Sequence, residues 1–281
     1  MTVCVAVCVH DGIVFAADSA TSLVGVDGAG RSIVERVYRY GNKVFNLDKR
    51  LPIVAMTAGL GAIGNAPIHS LAKDFRRELK SGGAYKIDPD NYKLSDIVDK
   101  ARDFLFEKKY RTGPTIAGDH ELQFWVGGYS SGSDVHELYR ITISNGNCDA
   151  PETLCTGGHC DIFWGGQPDA INRILVGWDQ SLVESLRLVG VPDDQMPALL
   201  AHIRTRTTAP LMHPGMPMQD AIELGDFLVE TTKGFVRFLP GADTVGGETD
   251  IAVVTRHERF KWIKRKHYYP WKLNKLETNH V

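Results

Sequence analysis

No two cysteines of this 281-residue chain stand at CxxC spacing, and the five present (Cys4, Cys8, Cys148, Cys155 and Cys160) are an odd number. That removes the zinc-ribbon and redox-dithiol patterns and argues against a secreted disulfide framework, so a reducing, cytoplasmic setting is expected. Cys155, His159 and Cys160 come nearest to a ligand set. No fourth partner follows at zinc-like spacing, so no metal and no cofactor are expected. Charge of one sign is also missing. The formal net charge is −2, which gives no global field for nucleic acid. The N-terminus has no basic segment, and its apolar runs are interrupted by Asp11 and Asp18, so neither a signal peptide nor a membrane span is expected. There is no Walker A sequence, no internal repeat and no low-complexity linker. One domain over residues 2–255 is the simplest division.

What is present is a hydrophobic fraction of 43% in patterned runs. Val3 to Val9 and Gly12 to Ala17 read as two apolar strands joined at His10-Asp11-Gly12. Ser19 to Arg31 reads as a polar, Gly-rich loop, and Ser32 to Tyr40 as a strand or extended arm. Lys43 to Leu47 alternates, and Leu51 to Thr57 is apolar. A helix with Ile68, Leu71, Ala72, Phe75 and Leu79 inward follows Pro67. A second begins near Ser95, the expected N-cap. Glu121–Tyr129 and Val135–Ser144 read as a hairpin, with a short strand at Glu152–Thr156. Helical segments fill much of residues 164–217, taken as an insertion. A firmer helix runs from Met218 to near Gly234, and Asp250–Thr255 is the last strand. Residues 256–281 form a basic, aromatic extension, able to dock on a neighbour, an acidic surface or nucleic acid, or to remain solvated. Strands, paired helices, strands, helices and a strand make an α+β chain. Two face-to-face sheets with helices outside would bury both faces of the apolar strands.

Two glycine motifs invite misreading. Gly59-Leu60-Gly61-Ala62-Ile63-Gly64 matches GxGxxG, but the helix after it is followed by a second helix, so no βαβ unit forms and dinucleotide binding is disfavoured. Gly128-Tyr129-Ser130-Ser131-Gly132 matches GxSxG, but a strand follows where a nucleophile elbow needs a helix.

Thr2 offers a different chemistry. Once Met1 is removed, which a small second residue permits, Thr2 carries a free α-amine beside its own hydroxyl, placing nucleophile and general base on one residue. A three-residue His10-Asp11-Gly12 loop would pair Val9 with Ile13 and send Thr2 and Asp18 to one face; a two-residue loop would send them to opposite faces. The three-residue register is the one expected. Lys43, on an apolar strand face, needs an anion, and Asp18 is the natural partner. Taken alone, the hairpin is equally an ordinary buried one.

Thr2, Asp18 within Ala16-Ala17-Asp18-Ser19, Asn42-Lys43-Val44 and Met56-Thr57-Ala58-Gly59 together resemble a proteasome β subunit. The wider class is the N-terminal-nucleophile hydrolases, including bacterial or archaeal peptidases of the HslV and Anbu kind. The resemblance implies a four-layer αββα sandwich and a threonine-type amidohydrolase, most simply a peptidase, acting on peptide or protein. In it Thr2 is the nucleophile, Lys43 lowers local proton affinity, Asp18 holds that lysine and the Gly59 N–H stabilises the oxyanion. Ser19, Asp243 and Thr244 are supporting candidates near the amine. It also implies a homo-oligomeric ring and an ATP-dependent unfoldase as partner. The alternative is a catalytically inactive, ring-forming subunit of the same fold.

Overall fold

The structure is a computed structural model that describes residues 2–26, 28, 32–116 and 118–266. Its strands are β1 (Val3–Val9), β2 (Gly12–Ala17), β3 (Thr21–Val26), β4 (Ser32–Tyr38), β5 (Val44–Asn46), β6 (Ile53–Gly59), β7 (Ala62–Ile63), β8 (Ala66–Pro67), β9 (Glu121–Tyr129), β10 (His136–Ser144), β11 (Asn147–Cys148), β12 (Glu152–Cys155), β13 (Asp161–Gly166), β14 (Asp250–Thr255) and β15 (Arg259–Lys264). Its helices are α1 (Ile68–Glu78), α2 (Leu94–Arg102, running on as a π-helix over Asp103–Tyr110), α3 (Asp169–Ile171, running on as a π-helix over Asn172–Val176), α4 (Gln180–Leu188), α5 (Met196–Thr207) and α6 (Met218–Arg237).

The chain is mixed α/β with antiparallel sheets. One has the order β13-β1-β2-β14-β15. The other is β11-β10-β9-β6-β5, with β12 also paired to β10. Strand alternation sorts the side chains into three cores. Cys4, Ala6 and Cys8 of β1, with Ile13 and Phe15 of β2, meet Val54, Met56 and Trp125 of the second sheet. Val3, Val5 and Val7, on the opposite face of β1, pack against Leu228 and Val229 of α6. Phe45, Ala55 and Phe124 of the second sheet pack under Leu71 and Phe75 of α1 and Ile97 of α2. Because both faces of β1 are buried, its sequence is apolar throughout rather than alternating. Each fully buried Val or Leu contributes roughly 1.5–3 kcal/mol by burial.

Several expectations are corrected here. Val9 pairs with Gly12 and Cys4 with Ala17, so the turn has two residues, not three. The glycine serves the strand rather than the turn: a Cβ on Gly12 would lie 2.2 Å from the Val254 carbonyl oxygen of β14. Thr21–Val26, read as loop, pairs with Ser32–Tyr38 as a two-stranded ribbon. Part of the extension after residue 255 is an edge strand, because Arg259–Lys264 pairs with β14; residues 267–281 of that extension lie outside the described residues. Ser95 does not cap α2. The Leu94 amide donates instead to Ser130 Oγ, 2.9 Å away in the β9–β10 hairpin. The serine of the GxSxG motif is therefore a helix cap in a hairpin loop. Around Gly59, β6 pairs antiparallel with both β5 and β9, so no βαβ unit exists there. Among the described residues no helix is long and apolar enough to cross a membrane.

Candidate active site

Asp18 is the hub. It stands one residue past β2, fully buried, and its carboxylate accepts four hydrogen bonds. Oδ1 accepts from the Val3 amide at 3.0 Å and from Lys43 Nζ at 2.5 Å. Oδ2 accepts from the Ala20 amide at 3.0 Å and the Gly246 amide at 2.9 Å. A buried carboxylate is tolerable only when its lone pairs are filled and its charge matched, and both hold here.

Lys43 precedes β5 by one residue and so escapes the alternation that sends Phe45 into the helix-facing core. Its carbonyl accepts from the Thr57 amide at 2.9 Å, and its ammonium turns to Asp18. Burial lowers the Lys43 pKa, Asp18 and Cys4 oppose that, and a second ammonium, Lys266, adds to it. Cys4, beside this pair, is no rival nucleophile: burial pushes its thiol up to about 12, so it stays protonated.

Thr2 adjoins the hub through the backbone. The register makes Thr2 and Asp18 face opposite sides of the regular ladder. The carboxylate nevertheless reaches the Val3 amide, the peptide nitrogen that follows Thr2. On the other side the Thr2 carbonyl accepts from the Gln167 amide at 2.7 Å. Gly166 permits that approach, since a Cβ there would sit 1.9 Å from the Thr2 oxygen and its φ is +86°. Thr2 itself is buried.

Gly59 ends β6, one strand repeat past the Thr57 amide that binds the Lys43 carbonyl. It has φ +84°, and a Cβ there would meet the Glu121 carbonyl oxygen at 2.1 Å. Ser19 is buried and fully engaged. Its amide donates to the Gly246 carbonyl at 2.9 Å and its hydroxyl to the Glu248 carbonyl at 2.5 Å. Asp243 lies beside Gly246, where an added Cβ would be 3.8 Å from its carboxylate oxygens. It is partly exposed and accepts from Arg39 Nη2 at 3.0 Å, at a cleft of about 450 Å³ that Glu230, Lys233 and Arg237 of α6 also line. Thr244 is buried, and its hydroxyl has no hydrogen-bond partner among the described residues.

Three contributors were missed in the sequence. Gly246, not among the expected site residues, donates its backbone amide to Asp18 Oδ2. Lys266, from the segment read as a basic extension that docks or stays solvated, is buried; its Nζ donates to Asp250 Oδ2 and to Ser19 Oγ, the latter at 2.9 Å. Asp250, the first residue of β14, also accepts from the Lys266 amide at 3.1 Å. A buried Asp opening an apolar strand was the available signal, because such a charge requires a partner.

The chain matches no protein-family profile and no curated protein. It is similar in structure to the Anbu complex from Pseudomonas aeruginosa, described as a helical assembly: TM-score 0.57 at 17% identity, over 98% of this chain and 92% of that one. It is also similar to an Anbu Gly-1 mutant from Hyphomicrobium sp. strain MC1, with TM-score 0.55 at 17% identity, over 99% and 92% of the two chains. At 17% identity the likeness is one of fold, and the described residues share the mixed α/β architecture of these two neighbours.

Proposed function

We propose that this chain is a threonine amidohydrolase of the N-terminal-nucleophile type, most simply a peptidase, built as a four-layer αββα sandwich. Removal of Met1 frees the Thr2 amine. The Thr2 hydroxyl attacks an amide carbonyl carbon while its proton passes to that amine. The tetrahedral oxyanion is held by the Gly59 N–H. Collapse breaks the C–N bond, and the leaving amine takes the proton back from the Thr2 ammonium. Water, deprotonated by the same amine, then hydrolyses the Thr2 ester. A free α-amine has pKa about 8, and a neighbouring ammonium lowers it toward neutrality.

The observation that carries this reading is the buried Asp18, whose single oxygen joins Lys43 Nζ at 2.5 Å to the amide next to Thr2 at 3.0 Å. Replacing such a pair by apolar residues is often neutral or stabilising, so stability alone gives little reason to bury it at a chain start. Peptide or protein is the proposed substrate. A homo-oligomeric chamber, an ATP-dependent unfoldase and a cytoplasmic setting belong to the same proposal; the helical assembly of the P. aeruginosa neighbour makes an open, non-ring oligomer an equal form of it.

The test is hydrolysis of a fluorogenic peptide panel by the wild-type chain and by Thr2→Ala, with oligomer mass followed by light scattering. Turnover lost in Thr2→Ala with unchanged mass supports the proposal. Assembly without turnover in the wild type favours the second reading, an inactive structural subunit. The pairing of Asp243 with surface Arg39 is the feature that favours that alternative.

A further inference from the structure

At the other end of β1, six residues from Thr2 and roughly 20 Å away at strand spacing, lies a cluster that the proposed hydrolysis does not use. Cys8 near the end of β1, His136 at the start of β10 and Cys155 at the end of β12 are all buried, and their ligand atoms lie within 4.8 Å of one another. The three residues come from both sheets: β1 from one, β10 and β12 from the other. We propose that Cys8, His136 and Cys155 bind a thiophilic divalent cation, zinc above all, with Cys160 completing the coordination, and that the ion staples the two sheets together at the end remote from Thr2.

The donor set fits the chemistry. The Cys8 and Cys155 thiolates balance the two charges of the ion, and a Cys160 thiolate would leave one negative charge on the half-buried side of the site. Two sulfurs and an imidazole nitrogen are the ligands zinc selects. Tetrahedral zinc places such atoms roughly 3.5–3.8 Å apart, so the cluster needs only a small contraction. His136 Nε2 lies 3.3 Å from the His159 carbonyl oxygen, and Cys155 Sγ donates to that same oxygen at 3.0 Å. A backbone carbonyl at an imidazole N–H is the outer contact that orients ligating histidines.

Cys160 supplies the fourth group and the entry path. It follows Cys155 across a turn in which Gly157 and Gly158 both have positive φ, +70° and +76°. It is half-buried, and its sulfur makes only long contacts, 3.8 Å to the Gly158 oxygen and 4.0 Å to the Pro214 oxygen. Those contacts are weak enough to exchange for a metal bond. The sequence shows Cys155 and Cys160 in one loop, but Cys8 and His136 reach them only through folding.

The test uses the full chain, purified reduced and without chelator. Metal content is measured by mass spectrometry, and the metal-stripped protein is then titrated with cobalt(II). The expected result is one zinc per chain and a thiolate-to-cobalt charge-transfer band saturating at one equivalent. Cys155→Ser should abolish the band, and Cys160→Ser should weaken binding at least tenfold with a shifted band. Absence of the band in wild-type protein whose five thiols titrate as free overturns the proposal. So does a Cys8–Cys155 disulfide in the reduced preparation, found by peptide mapping. Because the wild-type readout decides the matter, a variant that fails to fold leaves the result intact.

Discussion

Lys266 Nζ lies 2.9 Å from Ser19 Oγ, joining residues 247 apart in sequence inside the buried network around Asp18. The same ammonium neutralises Asp250. Lys266→Met would leave Asp250 buried and unpaired, a loss of about 3–5 kcal/mol. Lys266→Met with Asp250→Asn should recover most of that. Urea unfolding of the single and double variants checks this, and an additive double variant contradicts the coupling.

Lys43 sets an alkaline limit. Burial, chiefly, and then the Lys266 charge lower the Lys43 pKa below its usual 10.5. Below the lowered value Lys43 is charged and the proposed catalyst is competent; above it the ammonium is lost, so turnover should fall on a limb that lies below pH 10.5. Lys43→Arg, which stays charged, should move that limb upward if activity survives. Lys266→Met should also move it upward, since a like charge is removed. For folding the sign is separate: the unfolded chain binds more protons between the lowered pKa and 10.5, so this group makes stability rise with pH across that window. A pH–rate profile with no alkaline limb below 10.5 contradicts the assignment.

Gly166→Ala tests the positioning of Thr2. The added methyl would meet the Thr2 carbonyl at 1.9 Å in a left-handed backbone position. Displacement of the nucleophile by about 1 Å should lower kcat on the order of 100-fold. Unchanged kcat in a folded variant would place the reacting group elsewhere.

Ser130→Ala separates the helix cap from the nucleophile that its GxSxG setting suggests. Losing the Ser130 Oγ bond to the Leu94 amide should cost about 1 kcal/mol and leave kcat unaltered. A collapse of turnover with preserved stability would revive the serine.

The parts of the fold that were legible are those set by local pattern. The β9–β10 hairpin, Asp250–Thr255 and the stripe of α1 all follow from apolar periodicity, and the Asp18–Lys43 contact follows from the need of a buried ammonium for an anion. What was not legible depends on distant partners. The β1–β2 register turns on Gly12, which looks like a turn glycine but is required by the approach of Val254 from the far end of the chain. Lys266 lies among many basic neighbours, and nothing local marks it for burial. Gly246 acts through its backbone, which carries no side-chain signature. Asp243 was a supporting candidate through the family resemblance, and its carboxylate pairs with Arg39.

The central claim is that Thr2 is an unblocked N-terminal nucleophile with a working amine. It is tested most directly by incubating the purified chain with a peptide epoxyketone and mapping the product by intact and tandem mass spectrometry. The account predicts a chain lacking Met1 with a single adduct, closed onto both the hydroxyl and the amine of Thr2. A chain that keeps Met1, or one that loses it and still forms no adduct at any probe concentration, contradicts it.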